Sequence, residues 1–259
     1  MSPAATPALQ VDDLALSFGG VKALDKVSFG VAPGNIHALI GPNGAGKSTC
    51  FNVICGVYRA DRGAVRLGGN DVTGMHPHQL AGKGLGRSFQ NLALSMHSTV
   101  LDNVMLARHC RTRGGFMAAG ARWPSMMSEQ AKHTARAVEI CEFLGIERLL
   151  HAPVGGLSYG DAKRVDIARA LATEPEVLLL DEPAAGMNAG ETAEVAELIK
   201  VVRDALEISI LLVEHDMTLV MGVADRITVL DFGKVVADGT PAEVRNDPEV
   251  IRAYLGEQE

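Results

Sequence analysis

The amino-acid sequence predicts an α/β fold that carries an inserted helical subdomain, and three patterns support this prediction. Short apolar runs, typical of parallel strands covered on both faces, occur in both halves of the chain. Segments with helical periodicity alternate with these runs. Between residues 101 and 149, by contrast, Ala, Met, Arg and Glu recur at helical spacing with little that resembles a strand. A chain of 259 residues is long enough for one α/β domain with such an insertion.

The first elements of the chain are predicted to be strands. Residues 11–18 and 27–31 alternate between apolar and polar side chains, as half-buried strands do. Residues 36–40 form an apolar run that leads straight into a glycine-rich turn, and a helix is predicted at about 47–57. This order fits a buried parallel strand that feeds a helix.

The later elements repeat that alternation. Apolar runs at 177–180 and 208–213 predict two buried strands, and residues 190–206 between them have helical periodicity. After Asp231 a glycine-marked turn leads to Thr240, Pro241 and Glu243, which have the order of an N-cap, a first helical proline and a third-position carboxylate. A short helical tail is therefore expected. In the middle of the chain, residues 111–125 are rich in Gly and Arg and are predicted to be irregular.

The composition argues against several classes of protein. The net charge is −7, with 24 Lys and Arg against 31 Asp and Glu, whereas broad nucleic-acid binding needs a surplus of cations. No apolar run approaches the roughly 20 residues that span a bilayer. The N-terminus lacks the basic and apolar regions of a signal peptide, so a cytoplasmic protein is expected. The cysteines form neither a CxxC pair nor a zinc pattern, which predicts buried or free thiols. They are Cys50, Cys55, Cys110 and Cys141.

A phosphate-binding loop follows the strand at 36–40. The pattern G-x-x-x-x-G-K-[ST] is matched by Gly41-Pro42-Asn43-Gly44-Ala45-Gly46-Lys47-Ser48-Thr49. The glycines let successive backbone N–H groups converge on one anion beside a positive helix N-terminus. Lys47 adds a charge for the β- and γ-phosphates, and the Ser48 hydroxyl is a hard oxygen ligand suited to Mg²⁺. The segment predicts binding of a nucleoside triphosphate together with Mg²⁺.

Two carboxylates end the apolar run at 177–180. Open α/β sheets bind ligands at the carboxyl edge of their strands, where Asp181 and Glu182 are predicted to lie. Asp181 is suited to hold Mg²⁺, and Glu182 is placed to orient or deprotonate an attacking water. An apolar run that ends in Asp-Glu is usually just a strand leaving the core, so this interpretation depends on the phosphate loop.

A third motif narrows the class. Locally, Ser158 followed by Asp161 is typical of an N-cap ahead of a periodic helix at 162–171. The segment Leu157-Ser158-Tyr159-Gly160-Asp161 also resembles the LSGGQ signature of ATP-binding-cassette (ABC) ATPases, and it keeps Leu157, Ser158 and Gly160. It departs at Tyr159 and Asp161, where the family usually has Gly and Gln. The second departure adds a carboxylate near the helix start that faces a bound phosphate.

The other landmarks of that family occur in the family's order. The resemblance assigns Phe18 to stacking on adenine, Gln90 to contact with Mg²⁺ or water, and His215 to contact with the γ-phosphate. Each of these residues carries little information alone, since an aromatic at a strand end is usually core and most histidines are structural. Asn188 stands where most families have Asp in the D-loop.

The resemblance covers nearly the whole chain, from about residue 11 to residue 256. It implies one ABC ATP-binding domain at residues 8–256: a P-loop NTPase core with a mixed sheet, an N-terminal antiparallel β-subdomain, and a helical subdomain inserted at about 95–165. It implies ATP and Mg²⁺ as ligands. It also implies a second cassette, formed by the same or another chain, such that the Ser158 and Gly160 segment of one cassette faces the ATP bound to the other. Membrane permeases are implied as partners, with residues 87–101 as a candidate docking surface.

Several stretches look like the longer ATP-binding subunit, the LivG type, of branched-chain amino-acid importers. They are residues 181–186, 213–217, 253–256 and the insertion at 108–130. This likeness implies uptake of branched-chain or related amino acids, an indirect link to a periplasmic solute-binding protein, and a peripheral location on the cytoplasmic face of the inner membrane.

Three alternatives stay open at this point. An ABC ATPase of lipopolysaccharide export has a similar end but usually lacks the insertion at 108–130. A non-transport ABC ATPase usually carries coiled coils, zinc-ligand cysteines or two cassettes. A small-molecule kinase with a phosphate loop is disfavoured by residues 157–161 and by His215.

Overall fold

The chain divides into two compact units. A computed structural model describes residues 6–88, 93–111 and 124–255. The first unit consists of Met1–Arg87 and Glu176–Glu259, and the second consists of Ser88–Pro175. The first unit contains the phosphate-loop segment and both acidic residues of the predicted site.

The first unit contains an antiparallel sheet of alternating burial. Its strands are β1 (Leu9–Phe18), β2 (Val21–Val31), β4 (Arg62–Leu67) and β5 (Asn70–Asp71). They lie in the order β2-β1-β4-β5. The predicted strands at 11–18 and 27–31 are confirmed. The second is longer than predicted because a two-residue turn at Gly19 and Gly20 pairs Phe18 directly with Val21.

A mixed six-stranded sheet holds the buried apolar runs. Its strands are β3 (Ile36–Ile40), β6 (Leu85–Arg87), β7 (Val177–Asp181), β8 (Ser209–Val213), β9 (Arg226–Asp231) and β10 (Lys234–Gly239). The order is β10-β9-β3-β8-β7-β6, and only β10 runs antiparallel to its neighbour. Successive side chains enter opposite cores: Leu39 packs into one apolar cluster, whereas Ala38 and Ile40 pack into another. Both faces of this sheet are therefore covered.

Six helices of the first unit are described. They are α1 (Lys47–Ile54), α2 (Pro77–Gly82), α6 (Ala189–Leu206), α7 (Met217–Val223), α8 (Pro241–Arg245) and α9 (Pro248–Leu255). The predicted helix at 47–57 ends early because Gly56 has φ 71°, and a Cβ there would collide with the Met75 carbonyl. The predicted cap of α8 is confirmed: Thr240 Oγ1 accepts from Glu243 N, and the Glu243 carboxylate accepts from Thr240 N.

The second unit is helical in its described residues. Its helices are α3 (Val100–Ala107), α4 (Pro124–Phe143) and α5 (Tyr159–Leu171). Buried Arg108 connects them: its guanidinium donates to His133 Nδ1 on α4, and to the Ala172 carbonyl and Glu174 carboxylate beyond α5. The one β-contact described here is the isolated bridge between Thr99 and Pro153, which agrees with the predicted lack of strands.

The prediction that residues 111–125 are irregular is wrong at both ends of this segment. Arg111 closes a 3₁₀ helix that starts at Arg108, and α4 already begins at Pro124. Proline fits the first turn of a helix because its missing N–H would have had no intrahelical partner there. Residues 112–123 lie outside the described residues, as does most of the insertion at 108–130.

Two expectations from composition can be checked against the fold. The four cysteines are free thiols, with Cys110 exposed and the other three buried, as predicted. Burial raises the pKa of Cys50 and of Cys55 to about 12, so neither is a reactive thiolate at neutral pH. In the part of the chain that the structure describes, no helix combines the length and apolar character needed to span a bilayer.

Candidate nucleotide-binding and hydrolysis site

The predicted chemical groups of the first unit meet at one edge of the mixed sheet. The strands β3, β8 and β7 are adjacent and parallel, so their carboxyl ends lie side by side. The phosphate loop leaves β3, the pair Asp181 and Glu182 ends β7, and His215 follows β8. This is the edge at which open α/β sheets bind ligands.

The backbone of the phosphate loop is shaped for an anion. Gly44 has φ 76° and Gly46 has φ 101°, values that residues with a Cβ rarely adopt. Gly46 is the N-cap of α1 and supplies no side-chain cap, and the first turn of α1 has no acidic residue. The N-cap and the first turn of α1 therefore contribute no acidic side chain that would offset the positive end of the helix.

Lys47 lies over this loop. Its Nζ donates to the carbonyl oxygens of Gly41 at 2.6 Å and Pro42 at 2.7 Å. The ammonium group is thereby held above the backbone that curves around the expected phosphate position, where it can exchange carbonyl contacts for phosphate oxygens. Next to it, Ser48 is exposed at the start of α1.

Asp181 is buried at the end of β7 and lies beside a cation. Its carboxylate is 3.3 Å from the guanidinium of Arg87, the last residue of β6. That guanidinium also lies over the Phe51 ring of α1, 4.9 Å from the ring centroid. Arg87 was not among the predicted site residues, although it begins the segment 87–101 that was predicted as a docking surface. Gln90 itself lies outside the described residues.

The residues present fit a magnesium ion that is shared with a nucleotide. Ser48 and Asp181 offer a hydroxyl and a carboxylate, which are hard oxygen donors. No cluster of three or more His, Cys, Asp or Glu residues suited to a metal occurs in the described ranges. Mg²⁺ is usually held by one or two protein groups together with phosphates and waters, so a protein set this small suits it better than a transition metal.

Glu182 has a strained backbone. Its φ is 47°, in the left-handed region that residues other than glycine rarely enter. Its N–H donates to the Val213 carbonyl at 2.8 Å, which ties the end of β7 to the end of β8. Such conformations cost about 1–3 kcal/mol and persist where the surroundings enforce them. Five other non-glycine residues of the described chain share this region, so the conformation supports a role for Glu182 only together with its place at the sheet edge.

His215 lies in the turn from β8 to α7. Its side chain is 63% exposed, so the imidazole can reach a ligand at the sheet edge. The following residue, Asp216, caps α7 by accepting from Thr218 N and Leu219 N. The cap fixes where the strand ends and the helix begins, and it thereby fixes the backbone that carries His215.

Glu214 is a buried carboxylate that the sequence analysis missed. It is 1% exposed and accepts hydrogen bonds from the backbone N–H groups of Ala184, His215 and Asp216. In the sequence, a glutamate directly after an apolar strand looks like the first solvated residue. The signal that could have identified it is its position between Val213 and His215.

Phe18 ends β1 and is 47% exposed, so it is not a core residue. Its ring packs edge-on against Tyr58, with ring centroids 5.4 Å apart. An exposed aromatic held by a second ring offers a face on which a base can stack. Tyr58 was not predicted, because a lone tyrosine after a helix carries no pattern.

The signature-like segment belongs to the second unit. Ser158 caps α5 by accepting from Asp161 N, and its hydroxyl donates to the Asp161 carboxylate at 2.8 Å. Arg148 lies 3.9 Å from the other Asp161 oxygen. The position at which the family usually has an amide side chain is therefore occupied here by a carboxylate with a cationic and a hydroxyl neighbour. A Cβ at Gly160 would meet nothing within 4 Å, which leaves the helix start open to close approach.

Asn188 also has a structural role in its own chain. It is the N-cap of α6, where its side-chain oxygen accepts from Gly190 N and Glu191 N, and the Glu191 carboxylate accepts from Asn188 N. Asn and Asp are equally good N-caps. Asn188, which stands where most families have Asp, therefore still caps the start of α6.

Comparison with known proteins identifies the family of this chain. The family model described as ABC transporter matches residues 24–185, and the model described as branched-chain amino acid ATP-binding cassette transporter matches residues 234–259. The chain belongs to the ATP-binding cassette family of ABC transporters, and it is an ATPase of that class. The kinase alternative is therefore wrong.

The similar proteins include several with a named cargo. The high-affinity branched-chain amino acid transport ATP-binding protein LivG of Escherichia coli is 42% identical over 251 residues, which are 97% of this chain and 98% of the relative. BraF of Pseudomonas aeruginosa, named for the same transport, is 39% identical with the same coverage. Among solved structures, the ADP conformation of an ATP-binding cassette matches with a TM-score of 0.84 and 33% identity, covering 96% of this chain and 99% of that one. A nucleotide-free cassette from an ABC transporter matches with a TM-score of 0.83 and 32% identity, covering 96% of this chain and 98% of that one.

Proposed function

We propose that this protein is the subunit whose ATP hydrolysis energises uptake of branched-chain or related amino acids through separate membrane permeases. The observation that carries the cargo class is the match of residues 234–259 to the branched-chain transporter model, which lies outside the general ATPase region. Lipopolysaccharide export is a weaker candidate, because the relatives that cover 97% of this chain are named for branched-chain amino acid transport.

The phosphate loop binds the nucleotide in this proposal. The N–H groups of residues 41–49 and the charge of Lys47 hold the β- and γ-phosphates, and Phe18 stacks on the adenine. Support comes from the uncapped start of α1, from the Lys47 ammonium over the loop, and from the exposed ring at the end of β1.

Hydrolysis depends on the ends of β7 and β8. Glu182 orients the attacking water and accepts its proton, while His215 contacts the γ-phosphate. Ser48, Asp181 and Gln90 are the proposed protein groups toward Mg²⁺, which when bound neutralises charge on the β- and γ-phosphates. The strained backbone of Glu182 and the exposure of His215 at the same sheet edge support these roles.

A second cassette completes the site. The start of α5, with Ser158 and Gly160, approaches the ATP held by the phosphate loop of a partner subunit, which is the same chain or a related one. The exposed Ser158 and the open space around Gly160 support this arrangement, because a phosphate can approach such a helix start closely. ATP then acts as the contact that closes the two cassettes, and hydrolysis opens them.

The proposed location is the cytoplasmic face of the plasma membrane, where the protein binds permeases peripherally. Residues 87–101 are the proposed docking surface, and Met96 is 49% exposed within it. A periplasmic solute-binding protein is linked only through the permeases.

Reconstitution tests the cargo assignment. The protein is placed in proteoliposomes with the permeases, the second cassette and the solute-binding protein of its transporter, and ATP hydrolysis is measured with and without leucine, isoleucine or valine. We expect stimulation by at least one of them, because liganded binding protein biases the permeases toward the state that closes the cassettes. A matched complex with Glu182→Gln controls for contaminating ATPases. Stimulation by lipopolysaccharide, with no response to any amino acid, would overturn the importer assignment and leave the ATPase activity intact.

A further inference from the structure

Glu214 places a carboxyl group in the interior of the first unit. Its side chain is 0% exposed, and no lysine or arginine of the described residues forms an ion pair with it. The His215 Nδ1 lies 3.5 Å from Oε2 of Glu214. A buried carboxylate is destabilising unless its oxygens are hydrogen-bonded, so its partners show what the residue is kept for.

The partners of Glu214 lie on two different loops. Oε1 accepts from the N–H of Ala184 at 2.9 Å, two residues after Glu182. Oε2 accepts from the N–H of His215 at 2.9 Å and of Asp216 at 3.4 Å. One side chain therefore connects the turn after β7 to the turn after β8. These two turns carry Glu182 and His215.

The connection has a second, backbone component at Glu182 itself. The Glu182 N–H donates to the carbonyl of Val213, the last residue of β8, so the loop after β7 is tied to the end of β8 at the strained residue and to Glu214 two residues later. A residue with φ 47° relaxes toward ordinary values unless such contacts hold it. Of these two contacts, only the one between Ala184 and Glu214 is made by a side chain.

We infer that Glu214 is a positioning residue that fixes the spacing between Glu182 and His215 during hydrolysis. The inference rests on the proposed roles of those two residues. Glu214 acts through the backbone of Ala184 and His215, and it contacts neither nucleotide nor water. Only a glutamate suits the position: a carboxylate has four lone-pair sites for three N–H donors, and its length spans both loops.

Two substitutions separate the length of the side chain from its acceptor capacity. Glu214→Gln keeps the length but replaces one oxygen with an NH₂ group, which would face a backbone donor. Glu214→Asp keeps both oxygens but is one methylene shorter, so it reaches only one loop. Glu243→Gln is the matched control, since Glu243 is an exposed capping residue of α8 and Gln also serves in a capping box.

The experiment measures steady-state ATP hydrolysis by the complex reconstituted with its permeases and second cassette and, separately, the affinity of the full-length chain for ATP by fluorescence titration. For Glu214→Gln and Glu214→Asp we expect kcat to fall about 10- to 100-fold, because a misplacement near 1 Å has this order of effect, while affinity is unchanged. Glu243→Gln should match the unmodified protein. A double-mutant cycle adds a readout that general damage would not reproduce: in a His215→Ala background, Glu214→Gln should add little to the loss.

The outcomes are distinguishable. Unchanged kcat in both Glu214 variants overturns the inference, as does a loss that multiplies with that of His215→Ala or a parallel loss of nucleotide affinity. If Glu214→Gln fails to fold, judged by its thermal midpoint, the Glu214→Asp variant decides the question alone. Failure of the proposed function would look different, because Glu182→Gln would then leave hydrolysis intact.

Discussion

The two sheets of the first unit differ in where their polar residues occur. Along β3, β7 and β8 of the mixed sheet every residue is buried. Along β1 of the antiparallel sheet, buried residues alternate with partly buried or exposed ones over most of the strand. A strand covered on both faces offers a ligand only its ends, and the candidate site lies at those ends. The antiparallel sheet has a solvated face, and its one predicted contact with the nucleotide is Phe18 at the end of β1.

The variant with the largest expected effect, Glu182→Gln, tests whether ATP hydrolysis depends on residues at the ends of the parallel strands. We expect Glu182→Gln to lower the rate of ATP hydrolysis by about 10²- to 10⁴-fold, because the amide keeps the shape but loses the basic oxygen. Affinity for ATP should be retained, as measured by titration of the isolated variant. Lys47→Ala should instead weaken binding itself. An equal loss of affinity in both variants would contradict the division of roles.

Stability measurements test the two-sided burial directly. Leu178 and Leu179 are consecutive in β7 and are both 0% exposed, so each change to Ala should lower the free energy of unfolding by about 2–5 kcal/mol. In β1, Leu16→Ala should be costly, whereas Ser17→Ala, at an exposed position, should change stability by less than about 0.5 kcal/mol. Urea denaturation of the four variants gives the comparison. A large effect of Ser17→Ala would show that this face of the antiparallel sheet is covered.

The same contrast explains what could be predicted from the sequence. The strand at 36–40 was predicted with its bounds because a fully buried strand is an apolar run, and the phosphate loop fixed its end. β6 was not predicted, since its three residues are too short for any period. β9 was missed although Ile227, Val229 and Leu230 are apolar, because buried Thr228 interrupts the run.

The site divides in a similar way. Residues inside motifs, such as Asp181 and Glu182, could be proposed from the sequence because their order along the chain matches those motifs. Glu214, Arg87 and Tyr58 were not found, because their importance arises from contacts between elements distant in sequence. No local pattern encodes such contacts.

Buried His37 is a polar exception inside the parallel sheet. Its Nε2 lies 2.7 Å from Thr228 Oγ1, whose hydroxyl donates to Asp238, so Nε2 must be the protonated nitrogen. Nδ1 has no hydrogen-bond partner among the described residues. A second proton would therefore be placed on a buried nitrogen without an acceptor. Burial lowers the pKa of His37 from 6.5 to about 4, against a smaller opposing effect of Asp238.

Acidification should destabilise the protein through this residue. The unfolded chain binds a proton on His37 below pH 6.5, whereas the folded chain does so only below about pH 4. The stabilisation is complete above pH 6.5 and is lost as the pH falls from 6.5 to 4, by about 3 kcal/mol in total. Urea midpoints measured across this range should fall more steeply for the unmodified protein than for His37→Gln, which cannot titrate. Equal slopes would show that His37 gains its proton freely in the folded state.

The smallest expected effect concerns the contribution of the antiparallel sheet to nucleotide binding. Phe18→Ala should weaken ATP binding by roughly 5- to 30-fold, because stacking of a base on an aromatic ring contributes about 1–2 kcal/mol at a half-exposed site. Phe18→Tyr should retain affinity, since it keeps the ring. Stacking does not distinguish bases, so GTP should lose as much as ATP, while inorganic triphosphate, which has no base, should bind the variant as well as the unmodified protein. Hydrolysis at saturating ATP should continue at nearly the original rate, because Phe18 lies on a different sheet from Glu182 and His215. A fall in kcat as large as that of Glu182→Gln would show that the antiparallel sheet takes part in the chemical step, and the distinction between the two sheets would then be wrong.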